Sequence, residues 1–392
     1  MLRRDHEELE VVDRRTSLPP GAKAGLYVHF PFCRRKCPYC HFASVPYERR
    51  LFEVWREGLE READLRLRLG LEFETLYIGG GTPSILRPDE ISELRNLLGR
   101  RLRLSLDEFT LEANPEGNLG RDLLTGWARA GVTRLSLGVQ SFDDRTLKIL
   151  GRDSSAARTR AFVRRARQAG FRSIGLDLMA GVPGETRRAL EKTMDAVGAL
   201  SPDHVSLYLL ENVEGLPFEA VLRANPVGED EAADAFDFAA AALESLGLRR
   251  YEISNFARPG HECRHNLKYW RYEPFLGLGP SAGSHAGAER WKNPDDLRSW
   301  SEVLAAGKDP REEIVRLDTE NAVREAIVVG LRLVHGLDID EFRRRFGVDI
   351  RERFGREIEE LRKDKLLVLE RRRLRIPKDK LLVSNRVLSM FV

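Results

Sequence analysis

Six short apolar runs alternate with amphipathic stretches between residues 25 and 210, and most of them end at a glycine-rich or polar motif. The runs cover residues 25–30, 75–78, 108–111, 134–138, 173–179 and 204–210. Helical periodicity fills the gaps, as at 47–69, where Leu51, Val54, Trp55 and Leu59 recur at turn spacing. Further helices are predicted at 91–98, 119–130, on both sides of Gly151 and at 187–200. Strands separated by helices pair in parallel, because each parallel neighbour needs a crossover. The pattern predicts an α/β fold, a partial TIM-like (β/α)6 barrel with its chemistry at the C-terminal strand ends. A doubly wound open sheet is the alternative, but its G-x-G-x-x-G turn after the first strand is missing.

The first run feeds Cys33-Arg34-Arg35-Lys36-Cys37-Pro38-Tyr39-Cys40, which carries three of the four cysteines as C-x3-C-x2-C. Three thiolates this close can hold one iron–sulfur cluster and leave one iron open. An open metal position is where chemistry happens. Zinc is the rival, but its sites usually draw on two ligand pairs well apart in sequence. Cys263 stands alone, and neither His261 nor His265 completes a familiar zinc spacing. His41 follows Cys40 directly, and adjacency makes joint chelation awkward. A disulfide would leave one thiol over.

The 392 residues, 42% apolar and 32% charged, suit a large barrel with a smaller appended domain. The net charge of +3 is close to balanced, and Arg371-Arg372-Arg373 reads as a solvated turn, so no nucleic-acid partner is expected. No apolar run approaches the ~20 residues of a membrane span, which leaves only transient membrane-surface contact. Residues 1–23 are charged and lack a signal-peptide core, so they read as a poorly ordered extension of a cytoplasmic protein. The barrel and its extension take residues 24–315, and a C-terminal helical domain takes 316–392. There, helices at 321–334, 337–346 and 350–361 precede a hairpin of 366–369 with 374–376 and a last helix to Phe391. Helices followed by a small hairpin predict a winged-helix-like unit.

Gly79-Gly80-Gly81-Thr82-Pro83 closes the second strand, where a backbone without Cβ atoms allows close approach of a ligand. Further motifs follow in order: Glu112-Ala113-Asn114-Pro115, Leu137-Gly138-Val139-Gln140-Ser141-Phe142, Leu150-Gly151-Arg152 and Asp177-Leu178-Met179. With the cysteine loop they resemble the oxygen-independent coproporphyrinogen III oxidase family of radical S-adenosylmethionine (SAM) proteins. The resemblance runs from about Gly25 to the C-terminus. It implies a [4Fe–4S] cluster on Cys33, Cys37 and Cys40, whose open iron chelates SAM for cleavage to a 5′-deoxyadenosyl radical. Tyr27 and Tyr39 would line the SAM site, and Gly80, Gly81 and Thr82 would give it backbone and hydroxyl contacts. Glu112, Gln140, Arg152 and Asp177 would hold the ribose and carboxylate of SAM, or a second nucleotide-like ligand. Each polar residue alone would read as a cap, turn or surface pair; their common place at successive strand ends argues otherwise.

Two features steer the subgroup. The oxidase pattern has a further cysteine two positions after the third, where this chain has Phe42. The segment His265-Asn266-Leu267-Lys268-Tyr269-Trp270 resembles the haem-binding segment of the family's haem chaperones. The resemblance therefore implies a haem chaperone, with His265 as haem ligand and an acceptor haemoprotein as partner. On chemistry alone the same segment reads as a helix start with a buried Trp. Coproporphyrinogen oxidation in porphyrin biosynthesis is the rival activity, and radical SAM methylation that opens the haem ring is another. Ser154, Gly175, Glu185 and Gly283 depart from the family pattern, Gly175 standing where an asparagine is usual.

Overall fold

A computed structural model describes residues 21–116 and 120–392. The predicted extension lies outside the described residues as far as position 20, and Lys23 already opens the first strand.

Six strands build the barrel wall: β1 (Lys23–Phe30), β2 (Glu72–Gly80), β3 (Arg103–Ala113), β4 (Arg134–Gln140), β5 (Ser173–Ala180) and β6 (His204–Leu209). Each pairs in parallel with the next. A seventh strand, Phe275–Leu278, adds in parallel beside β1, and Asn255–Ala257 covers β6 in antiparallel register. The twelve-stranded order ends at Glu312–Arg316 on one side and Arg249–Arg250 on the other, so the barrel is open. The six runs are the parallel wall; the short strands that extend it carry too few residues to stand out in the sequence.

Period-two alternation decides what the wall presents to each side. On β1, Ala24, Leu26, Val28 and Phe30 are fully buried, and Phe30 meets Trp55 edge-on at 5.3 Å between ring centres. Trp55 belongs to the helix Arg49–Arg66, which buries Phe52, Trp55, Leu59 and Ala63 at steps of three and four. Each such large side chain contributes roughly 1.5–3 kcal/mol by leaving water. The alternate positions point into the barrel and are largely polar: Tyr77, Glu112, Arg134, Ser136, Asp177, His204 and Ser206 all line its cavity. The register sets Thr110 beside Arg134 and Gly175 beside His204, so these side chains form layers.

The C-terminal segment has its own apolar cluster, from Val323 to Phe391. Helices Thr319–Gly330, Ile339–Phe346, Ile350–Arg353 and Gly355–Lys363 pack with a three-stranded antiparallel sheet. The helix predicted from 337 starts at Ile339, because Leu337 and Asp338 pair with Leu374 and Arg373. Asp338 then caps the helix, accepting from Glu341 N at 2.9 Å. The helix predicted over 350–361 breaks at Phe354, which leaves the helical region at φ −121° and ψ 27°.

Candidate functional site

A cavity of about 390 Å³ opens at the C-terminal ends of the barrel strands. Cys33, Cys37 and Cys40 all line it, as do Tyr39, Gly80, Gly81, Thr82, Glu112, Gln140, Arg152 and Asp177. Tyr27 does not. Its hydroxyl donates to His29 Nδ1 at 3.0 Å, and its ring packs with Tyr77 and His265 below the cavity.

The cysteine loop is fixed from both ends. Val45 N donates to the Pro31 carbonyl at 2.7 Å and Tyr47 N to that of Cys33 at 3.0 Å. His29 reaches up from β1 and donates from Nε2 to the Ala43 carbonyl at 2.9 Å, its Nδ1 being the acceptor for Tyr27. Burial lowers the His29 pKa, which keeps this ring neutral. His29 thus positions the loop, a role its place in the motif did not reveal. All four cysteines are free. Thr82 Oγ1 donates to Cys33 Sγ at 3.4 Å and Arg152 Nη1 to Cys37 Sγ at 3.3 Å, contacts that hold the two sulfurs in place. Burial raises the Cys40 thiol pKa, and repulsion from Cys37 and Cys33 adds to the shift. Such a set calls for a cation. Among the described residues no three His, Cys, Asp or Glu side chains converge on one ion. A cubane takes one thiolate on each of three irons, which fits three cysteines on one loop. Cys263 is buried on the barrel floor, where burial and then Glu108 push its thiol up to about 12.

The glycine turn is a matter of space. A Cβ on Gly80, whose φ is +114°, would stand 2.6 Å from the His29 ring. One on Gly81 would stand 2.5 Å from the Phe32 carbonyl oxygen, and one on Gly79 2.8 Å from Glu112 Oε1. The expectation that bulk here would press on a ligand therefore needs correction: bulk would first displace the cysteine loop. Gly81→Ala should cost about 1–3 kcal/mol or more and lower the yield of cluster reconstitution, read by thermal melting and iron content. The N–H groups are also committed: Gly80 to Glu112 Oε2 at 3.0 Å, Gly81 to the Phe30 carbonyl and Thr82 to that of Phe32, both at 2.8 Å. What the turn can offer a ligand is carbonyl oxygen, which suits an ammonium group.

Glu112 also accepts from the Tyr77 hydroxyl at 2.8 Å, and burial lifts its pKa to about 7. Burial lifts Asp177 to about 6, while Ser136 Oγ lies 3.2 Å from its Oδ1. Gln140 sits at φ +67°, a conformation that non-glycine residues hold mainly where surroundings enforce it. Arg152 crosses from the Gly138 carbonyl (2.7 Å) and Asn114 Oδ1 (3.2 Å) to Cys37, tying the strand ends to the cluster loop.

His265 stands elsewhere. It lies at the N-terminal end of the barrel, against Gly25, five residues along β1 from Phe30, or about 16 Å. It is 1% exposed, with Nδ1 bonded to Thr75 Oγ1 at 2.8 Å and Nε2 to the Tyr269 hydroxyl at 2.7 Å. Burial drops its pKa to about 3. Both ring nitrogens are spent, so the expected haem ligand is a floor plug instead. Its segment is an anchor throughout: Lys268 pairs with Glu74 and Glu273, and Trp270 lies under Arg332 at 4.5 Å. At the other end, Phe42 is 55% exposed at the cavity mouth beside the exposed His41. Of the departures, Gly175 lies on the cavity floor beside Arg134 and His204, whereas Gly283 is on an outer strand away from the cavity. Arg134, Ser136, Asn114, His204 and Ser206 line the cavity although no motif flagged them as site residues.

The family model of the radical SAM superfamily matches residues 27–197, and that of the HemN C-terminal domain matches residues 317–379. The Lactococcus lactis protein named heme chaperone HemW is 32% identical over 373 residues, covering 93% of this chain and 96% of that protein. The Escherichia coli heme chaperone HemW is 37% identical over 277 residues, covering 68% and 70%. The structure of E. coli coproporphyrinogen III oxidase (HemN) superposes with a TM-score of 0.83 over 96% of this chain and 92% of that one. At 24% identity that likeness speaks for the fold alone. The cysteine loop, the glycine turn, the open barrel and the length of these matches agree: the chain belongs to the radical SAM superfamily and, within it, to the HemW family.

Proposed function

We propose that this chain is a radical SAM haem chaperone, which binds haem and passes it to an acceptor haemoprotein. The observation that carries the reading is a thiol-lined barrel mouth with an exposed phenylalanine, Phe42, at the position of the oxidase family's additional cysteine. Cys33, Cys37 and Cys40 would hold a [4Fe–4S] cluster, and SAM would bind at its open iron. Such a cluster supplies an electron for SAM cleavage when bound. The protein's own part is to hold and orient. Arg152 is placed to steady Cys37, Thr82 to steady Cys33, and Glu112 with the turn carbonyls to receive the ammonium of SAM. Asp177 and Gln140 remain for its hydroxyl groups. Haem is read onto the mouth, where His41 offers a free imidazole, Phe42 a flat apolar face, and Arg35 and Lys36 charges for its propionates.

Glu112 gives this reading a pH signature. Its pKa is raised, so the ionised form that receives a cation is lost as pH falls through about 7. SAM affinity of the reconstituted protein should therefore rise from about pH 6 to about pH 8. Without SAM the sign reverses, because burying the carboxylate stabilises the protonated fold and stability falls as pH rises from 4.5 toward about 7. Calorimetric titration of wild type and Glu112→Gln checks this, with a weaker and flat profile expected for the variant. The chaperone role itself is tested by mixing haem-loaded protein with an apo-haemoprotein. Transfer faster than passive haem release is expected; transfer at the passive rate would refute it.

A further inference from the structure

The cavity continues below the groups assigned to SAM, to a floor lined by Arg134, His204, Cys263 and Asn266. Arg134 opens β4 and His204 opens β6, so both stand at the strand ends opposite the thiols. They are 2% and 1% exposed. Arg134 Nη1 donates to Ser173 Oγ at 3.0 Å and to the His261 carbonyl at 3.2 Å. Its Nε has no partner, and among the described residues no carboxylate pairs with it. Glu108, on the adjoining strand, spends its oxygens on His265 N at 3.0 Å, Arg264 N at 3.2 Å and Cys263 Sγ at 3.6 Å. Cys263, Glu108 and Asp177 act on the guanidinium through space, but none of them bonds it directly.

His204 presents a second donor to the same space. Tyr251 Oη accepts from Cys263 N at 3.4 Å and shares a 2.9 Å hydrogen bond with His204 Nε2. In the tautomer where Tyr251 is the donor of that bond, the ring proton is on Nδ1, which has no partner. Burial and the neighbouring Arg134 hold the His204 pKa well below its ordinary value, so this ring is a neutral donor. Gly175 of β5 lies between the two. A Cβ there would stand 3.4 Å from both Arg134 Nη2 and His204 Nδ1. This is the position at which the family pattern has an asparagine, whose carboxamide would fill the gap. Arg134 and His204 thus face the cavity beside a position whose Cβ would just touch both.

We propose that the barrel floor is a binding subsite for a small monocarboxylate, held by the Arg134 guanidinium and the Nδ1–H of His204 above Gly175. Asp177, two residues on along β5, is engaged by Ser136 and closes the subsite from above. The subsite needs neither haem nor SAM turnover, so its failure would leave the chaperone reading standing.

The test uses the full chain with its cluster reconstituted and SAM at saturation, so that the upper site is filled. Titration with carboxyl-13C propionate, followed by NMR, should give saturable binding. Gly175→Asn should weaken it at least tenfold, and Arg134→Gln should abolish it; circular dichroism and cluster absorbance check that each variant is folded. Gly175→Asn keeps the test decisive if Arg134→Gln does not fold. Absence of saturable binding in the wild type, with water alone on the floor, would overturn the proposal. So would equal affinity in wild type and Gly175→Asn, which would put the carboxylate elsewhere.

Discussion

Replacement of Cys33, Cys37 or Cys40 by Ala is expected to abolish the broad iron–sulfur absorbance after anaerobic reconstitution, and SAM binding with it. Each thiol lines the cavity, and Cys33 and Cys37 each accept a side-chain hydrogen bond. No spare thiol is at hand among the described residues, since Cys263 lies on the floor with its thiol held protonated by burial. Cys263→Ala should leave the cluster intact and cost about 1 kcal/mol of stability. Arg152→Gln should fall between these, with about a 10–100-fold loss of cluster affinity, as when a hydrogen bond to a metal ligand is removed. Iron and sulfide content after reconstitution measures all of these. Loss of the cluster in Cys263→Ala alone would reverse the ligand assignment.

The second large effect concerns His265. His265→Ala should destabilise the fold by roughly 3 kcal/mol, because Thr75 and Tyr269 each lose a buried partner and a cavity opens under Gly25. Haem affinity of the folded protein should not change. His41→Ala should do the opposite, leaving the melting point in place and weakening haem binding. Melting curves and haem titrations of the two variants separate them. A selective loss of haem binding in His265→Ala, with stability unaltered, would restore His265 as the ligand.

These two histidines show where the sequence was legible and where it was not. The cysteine spacing, the glycine turn and the acidic strand ends sit in local motifs whose chemistry follows from residue type, and the fold brings the expected cluster and SAM residues, Tyr27 excepted, to one cavity. The parallel wall was legible because long apolar runs alternated with helical periodicity. The role of His265 is not legible in the sequence, because a histidine beside aromatic residues has the same local signature as a ligand or as a plug. Only the pairing with Thr75, 190 positions away, decides between them. The floor residues were missed for a different reason. Arg134, Ser136, His204 and Ser206 are polar residues at every second position of strands that should be apolar on both faces. That alternation was present in the runs at 134–138 and 204–210, and it marks a barrel with a polar interior. The short outer strands and the paired Leu337–Asp338 rest on distant partners, which no local pattern reveals.

On the proposed function this barrel carries haem and does not oxidise a porphyrinogen. That function is tested most directly on one anaerobically reconstituted preparation, supplied with SAM and a reductant and divided between haem and coproporphyrinogen III. Haem should be retained through gel filtration with a ligated-haem absorbance, and coproporphyrinogen III should not be consumed. Sustained formation of protoporphyrinogen IX, with haem lost on the column, would contradict the proposed function.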